Sequence, residues 1–191
     1  ELVFLHPYYD AEEQKEFYEK QYVSGFGNIM PQELFERCLP EAKIRAERYR
    51  KILNESENIL EIGCSAGHFL HVAQKFVPNV YGIELGEAEK QHATNLGIRV
   101  REEIQEFQSR KFDAIFMFHV LEHITDPIFF LKEIEQYLKK DGKLIIEVPN
   151  IDDILVSVYK IKKFMDIYFS APHKFYFSNK TLGRMLSRAG F

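Results

Sequence analysis

From Asn58 onward, short apolar runs alternate with longer amphipathic ones, and this alternation constrains the fold more than any other feature of the chain. The order Asn58–Ile62, Gly67–Phe76, Asn79–Glu84, Gly86–Leu96 reads as strand, helix, strand, helix. A further apolar run over Phe112–Phe118 leads to a helix expected to place Ile128, Leu131, Ile134 and Leu138 on one face. Lys143–Val148 reads as the strand that follows. Strands this uniformly apolar, with helices between them, imply an α/β domain whose mostly parallel sheet is covered on both faces.

Upstream, Ala11–Tyr22 and Gln32–Leu53 are charged, helix-favouring stretches, the second expected to be interrupted at Pro40. Downstream, Ile151–Phe169 reads as helical insertion material. Ser178 is placed to cap a last helix through Arg188, which Ala189-Gly190 would end. With no repeat or Gly/Ser linker, residues 1–191 read as a single domain: a helical flank or lid at 1–57, a binding core at 58–150, and a substrate-side insertion with the last helix at 151–191. The chain starts at Glu1 and stops at Phe191 directly after Ala189-Gly190, so both ends are expected to be cut from something longer.

A chain of 191 residues buries roughly 70% of its unfolded surface and needs no disulfide or metal staple. Its 25 Lys and Arg against 29 Asp and Glu give a net charge of −4, no blanket of positive charge for a phosphate backbone. A small-molecule partner is therefore expected, and nucleic acid is not. Two cysteines, Cys38 and Cys64, without CxxC spacing suit a reducing, cytoplasmic setting. The longest apolar run, Ala114–Phe118, is far short of the ~20 residues of a membrane helix, so no membrane association is expected.

Glu61-Ile-Gly-Cys-Ser-Ala-Gly67 carries the most chemistry. A strand ends, a turn holds Gly63 and Gly67, and a helix opens, which in a parallel sheet is where ligands bind. The spacing is GxxxG, whereas the dinucleotide fingerprint GxGxxG has a middle glycine that makes room for a pyrophosphate. A ligand without phosphates is favoured. The next strand ends in Glu84, about 20 residues on, where a ribose hydroxyl acceptor is expected to take both hydroxyls.

Together with Phe112-Asp-Ala-Ile-Phe-Met-Phe-His-Val-Leu-Glu-His123, these features resemble the class I S-adenosylmethionine-dependent methyltransferases, from about Asn58 to Phe191. The resemblance implies a Rossmann-like three-layer αβα sandwich with S-adenosylmethionine as cofactor. By it, Glu61 and Gly63 lie beside the methionine portion, with Cys64 and Gly67 in the same turn. Glu84 holds the ribose, Leu85 flanks the adenine, and Glu103-Ile104 meets the adenine edge, Glu102 being able to exchange with Glu103. Phe118, at its strand end, also belongs to the cofactor set, and Tyr22, one helical turn from Tyr18, is placed to cover the cofactor. The stretch Pro172–Phe191 is similar to the same subgroup, whose further strands would be truncated here. Leu2–Pro7 with Tyr8-Tyr9 resembles a connector of sugar and natural-product methyltransferases, which leans the substrate toward sugars.

Methyl transfer is an in-line displacement, so positioning dominates and a base is needed only where the acceptor loses a proton. His119, Glu122 and His123 share one face if helical, and His123 or His119 is the expected base, with His173 a second candidate. Alternatively, Glu122 and His123 satisfy backbone groups at the turn. Quinone-pathway relatives carry a Glu-x-x-Glu-His version of this segment. His119 here replaces the first Glu, and since Mg²⁺ prefers oxygen ligands, no metal is expected. Phe116, Phe118, Phe129 and Phe130 read as core, and Cys64 as a small loop residue whose thiol pKa could be lowered at the helix-opening turn. The reading is a methyltransferase for a sugar or nucleotide-linked small molecule. The alternatives are an O-methyltransferase of a quinone or polyketide pathway and a non-catalytic S-adenosylmethionine-binding module. A nicotinamide dehydrogenase is disfavoured by the GxxxG loop.

Overall fold

A computed structural model describes residues 3–4, 29–162, 165, 169 and 173–191. These form two compact units. The larger comprises residues 29–117 together with 136–145. The smaller comprises 118–135 and the described part of 146–191, with Val3–Phe4.

The larger unit is built on helix α1 (Pro31–Arg48), helix α2 (Arg50–Asn54), strand β2 (Asn58–Ile62), helix α3 (His68–Ala73), strand β3 (Asn79–Ile83), helix α4 (Glu87–Asn95), strand β4 (Arg99–Arg101) and strand β5 (Phe112–Phe118); β1 is the two-residue strand Val3–Phe4 of the smaller unit. Strand β6 (Leu138–Glu147) completes a five-stranded sheet of order β4-β3-β2-β5-β6. β2 runs parallel to both β3 and β5, and β3 parallel to β4. This is the Rossmann-like α/β fold implied by the sequence. Ile59, Leu60, Ile115 and Phe116 are fully buried. Phe69 of α3 and Tyr49 pack on Phe116 at ring-centroid distances of 5.0 and 5.7 Å. At the start of the sheet, Asp113 Oδ2 accepts from the Glu57 and Asn58 amides at 3.0 and 2.8 Å, while Lys139 Nζ lies 2.8 Å from Oδ1.

Several boundaries differ from the sequence expectation. Helix α1 runs unbroken through Pro40 and stops at Tyr49, because Phe35 before the proline and Ala42 and Ala46 after it belong to one buried stripe. That packing outweighs the backbone bond a mid-helix proline removes. Leu138 opens β6 instead of closing the preceding helix, and that strand ends at Glu147, leaving Val148 outside. Strand β4, unpredicted, shows as the period-2 alternation Ile98-Arg99-Val100-Arg101, with Ile98 and Val100 buried. The expected helix over Ala11–Tyr22 lies outside the described residues.

The smaller unit holds helix α5 (Pro127–Glu135), the single turn α6 (Ile154–Ser157), strand β7 (Phe175–Tyr176) and helix α7 (Asn179–Ala189). β1 pairs antiparallel with β7. α5 buries Pro127, Leu131 and Ile134, so Phe129 falls on the opposite face and is 68% exposed, a surface residue and not core. Of the insertion, α6 is the helical turn whose bounds are described. Ser178 caps α7 in a reciprocal box with Thr181, and Gly190 closes the helix at φ +107°, as the sequence implied. No helix among the described residues is long and apolar enough to cross a membrane.

Candidate cofactor and acceptor site

In the larger unit the turn after β2 is shaped by positive φ at Gly63 (+73°), Ser65 (+49°) and Gly67 (+82°). A Cβ on Gly67 would lie 2.7 Å from Ile98 Cδ1 and 2.8 Å from Ala93 Cβ, so the glycine lets α4 and the start of β4 close onto the turn. Gly82, in mid-β3, leaves room for Cys64: a Cβ there would sit 2.5 Å from the Cys64 sulfur. Both Gly63 and Cys64 amides donate to the Ile83 carbonyl, at 2.9 and 3.0 Å.

Glu84 organises this turn. Its Oε2 accepts from Ser65 N at 2.8 Å and its Oε1 from Leu85 N and Gly86 N at 2.9 and 2.8 Å. An ionised carboxylate offers about four acceptor directions, so roughly one remains for a ligand hydroxyl, fewer than the two expected from sequence. Burial raises its pKa, against the lowering by the Gly86, Ser65 and Leu85 amides. Glu61 is buried in β2, and its Oε2 has no hydrogen-bond partner among the described residues. Burial pushes its carboxyl well above the usual range, with nearby Arg45 pulling it down and Glu84 adding to the rise. The Cys64 thiol is likewise pushed well up, by burial and then by Glu61 and Glu84, so it is the opposite of an activated thiol.

Arg45 is the residue that sequence reading missed. It lies on the buried stripe of α1, only 6% exposed, with Glu41 at 2.9 Å. The signal was present: an arginine one position before Ala46 on an otherwise apolar face. At the other rim, Leu85 is 68% exposed, Ile104 is buried, and the Glu103 carboxylate accepts from the Glu106 amide in a capping box. Glu102 is engaged with Lys90 Nζ at 2.5 Å. Tyr22 and Tyr18 lie outside the described residues.

These residues fit a phosphate-free adenosyl sulfonium. The Glu61 and Glu84 side chains offer acceptor oxygens, one of them buried without a hydrogen-bond partner among the described residues, which suit a ligand's ammonium and hydroxyl donors better than the oxygens of a pyrophosphate. Glu61 with the Gly63–Gly67 turn would hold the amino-acid end, Glu84 a ribose hydroxyl, and Leu85 the base.

In the smaller unit Phe118 is buried, and His119 follows it at φ +58° with its amide donating to the Glu147 carbonyl at 2.8 Å. His119 is outside the 3-10 turn Leu121–His123, so the expected shared helical face does not form. Its Nδ1 nevertheless lies 3.4 Å from Glu122 Oε1, and His123 Nε2 lies 4.0 Å from the same oxygen. Glu122 is fully buried, and neither carboxylate oxygen has a hydrogen-bond partner among the described residues. Its carbonyl accepts from Lys174 N at 2.8 Å, which brings His173 up: the His123 and His173 rings are 4.9 Å apart. Glu122, His123 and His173 offer ligand atoms within 4.8 Å of one another, so His173 replaces His119 in the trio that could hold a metal. His119 instead lines a cavity of about 320 Å³.

A family profile described as "Methyltransferase domain" matches residues 32–191, and the chain belongs to that family. The fold described above is that of solved S-adenosylmethionine-dependent methyltransferases. Among solved structures it is similar to a SAM-dependent methyltransferase from Archaeoglobus fulgidus, with a TM-score of 0.64 and 22% identity, covering 80% of this chain and 69% of that one. It is 26% identical over 165 residues to a tRNA U34 carboxymethyltransferase of Alteromonas mediterranea, covering 72% of this chain and 45% of the relative. It is 27% identical over 108 residues to a ubiquinone biosynthesis O-methyltransferase of Actinobacillus pleuropneumoniae, covering 49% of this chain and 46% of that protein. The chain spans about half the length of these curated relatives.

Proposed function

We propose that the protein methylates a small-molecule acceptor in the cytoplasm, of the sugar or nucleotide-linked kind. The observation that carries this reading is the pairing of Glu61, with its unpartnered buried oxygen, and Glu84 around the Gly63–Gly67 turn. The bound cofactor supplies an electrophilic methyl group. His119 takes the acceptor's proton, and Glu122, 3.4 Å from Nδ1, balances the imidazolium that forms. His123, whose Nε2 lies 4.0 Å from the same Glu122 oxygen, and His173 are the alternative bases. The two free cysteines agree with a reducing compartment.

The test begins with melting. S-adenosylmethionine at 100 times its dissociation constant adds ~2.7 kcal/mol, a rise of roughly 5–10 °C, and NAD should give none. Isotopic methyl transfer to sugars, quinols and tRNA then separates the enzyme from a passive binder and identifies the acceptor class; relatives named for tRNA and ubiquinone warrant both controls. Full turnover by each of His119→Ala, His123→Ala and His173→Ala would leave catalysis to proximity alone.

A further inference from the structure

Two consecutive residues of α4 meet two consecutive residues of the glycine turn, all within the larger unit. Ala93 lies against Gly67, where a Cβ on the glycine would come within 2.8 Å of Ala93 Cβ. Beside it, His92 Nδ1 lies 2.9 Å from the carbonyl oxygen of Ala66, a fully buried residue. A carbonyl oxygen only accepts, so Nδ1 carries the hydrogen and the tautomer follows from the contact. The close approach that Gly67 permits is what brings this ring within reach of the turn.

The ring is held from its far side as well. Phe35, on the buried stripe of α1, packs against it with ring centroids 5.3 Å apart. His92 Nε2 lies 3.0 Å from Gln32 Oε1 in the first turn of α1, and Gln32 Nε2 donates to Glu36 Oε1 at 2.6 Å, which sets the sense of the amide. The Ala66 bond is therefore open to the neutral and the charged ring alike, whereas the Gln32 bond needs a hydrogen on Nε2 too.

We infer that His92 is a positioning residue for the cofactor: by donating from Nδ1 to the Ala66 carbonyl it sets the backbone of the Gly63–Gly67 turn, and through Phe35 and Gln32 that setting is tied to the start of α1. This rests on the cofactor reading proposed above and deepens it. Glu84 fastens the same turn from the end of β3 by accepting from the Ser65 amide, while His92 fastens it from α4 by donating to the Ala66 carbonyl. The two bonds grip the peptide units on either side of the Ser65–Ala66 linkage, which holds Ser65 at its positive φ of +49°. His92 acts through the turn.

Asparagine and glutamine divide the two ring nitrogens between them: the Asn amide nitrogen stands near the place of Nδ1 and the Gln amide nitrogen near that of Nε2. Calorimetry with S-adenosylmethionine on the full chain, and the NMR signals of the Ser65 and Gly67 amides in its absence, read the outcome. His92→Leu should weaken binding roughly fivefold or more, the worth of one hydrogen bond, and displace both signals. His92→Asn should bind within about twofold of the unaltered chain and keep them. Unchanged binding in His92→Leu, or His92→Asn binding as weakly as His92→Leu, overturns the proposal. Where His92→Leu does not fold, His92→Gln takes its place, and equal affinity of His92→Gln and His92→Asn overturns it. If the unaltered chain does not bind the cofactor, the cofactor reading falls by itself, while the amide signals still decide whether His92 sets the turn.

Discussion

The Ser65 amide donates to the Glu84 carboxylate at 2.8 Å, fastening the glycine turn after β2 to the end of β3. Ser65 sits at φ +49°, a conformation that costs a non-glycine residue roughly 1–2 kcal/mol, and this charge-assisted bond helps to hold it there. Glu84 thus shapes the turn as well as facing a ligand.

Glu84→Ala should for that reason damage two things together. It leaves three amides without their acceptor and removes one ligand contact, so cofactor affinity should fall at least tenfold and the melting midpoint should drop as well. Calorimetry and melting on the same sample read both, and a loss of affinity with unchanged melting would show that the turn does not depend on the carboxylate.

Glu61→Gln should separate stability from binding. Because the folded-state pKa is raised, Glu61 favours the fold below its unfolded value of about 4.3, and this contribution is lost as pH rises through the folded value. Removing the charge should stabilise the ligand-free protein by about 1–3 kcal/mol at neutral pH while weakening cofactor binding. Urea midpoints at pH 4 and 7.5, with the gain present only at the higher pH, are the check.

His68 should act with the opposite sign. Burial, aided by Arg45, lowers its imidazole from 6.5 to about 4. The unfolded chain therefore binds a proton between those values that the folded chain refuses, and stability should decline as pH falls from 6.5 toward 4. His68→Leu should flatten that slope in a series of denaturation curves. An unchanged slope would move the effect to another group.

Asp113→Ala should be purely structural. Burial works against its charge, but Lys139 and the Asn58 and Glu57 amides outweigh it and hold the carboxyl below its usual range. Its stabilising contribution is present above the unfolded value near 3.9 and is lost as pH falls through the folded one. The variant should lose about 1–3 kcal/mol at neutral pH with cofactor affinity intact, as measured by denaturation and calorimetry side by side.

The binding turn was legible because its elements are local: strand, GxxxG and helix are contiguous, and Glu84 follows at a fixed interval. What escaped was set by distant partners. Pro40 reads as a break until the stripe of Phe35, Ala42 and Ala46 is seen to pack as one face, and Arg45 reads as a surface charge until that face is buried. Leu138 continues a helical period in sequence, yet strand pairing in the sheet claims it. The imidazole that joins Glu122 and His123 comes from His173, fifty residues on, a neighbourhood that no periodicity encodes.

The space that Gly82 leaves for the Cys64 sulfur, which a Cβ at position 82 would approach to 2.5 Å, links two sites that sequence separates. Volume added on one strand must be surrendered in the adjoining loop, so the two positions are free to vary only as a pair. Gly82→Ala alone should displace the Gly63–Gly67 turn, whereas Gly82→Ala with Cys64→Gly should restore it. The architecture of the pocket is in this sense written partly as a hole in its neighbour.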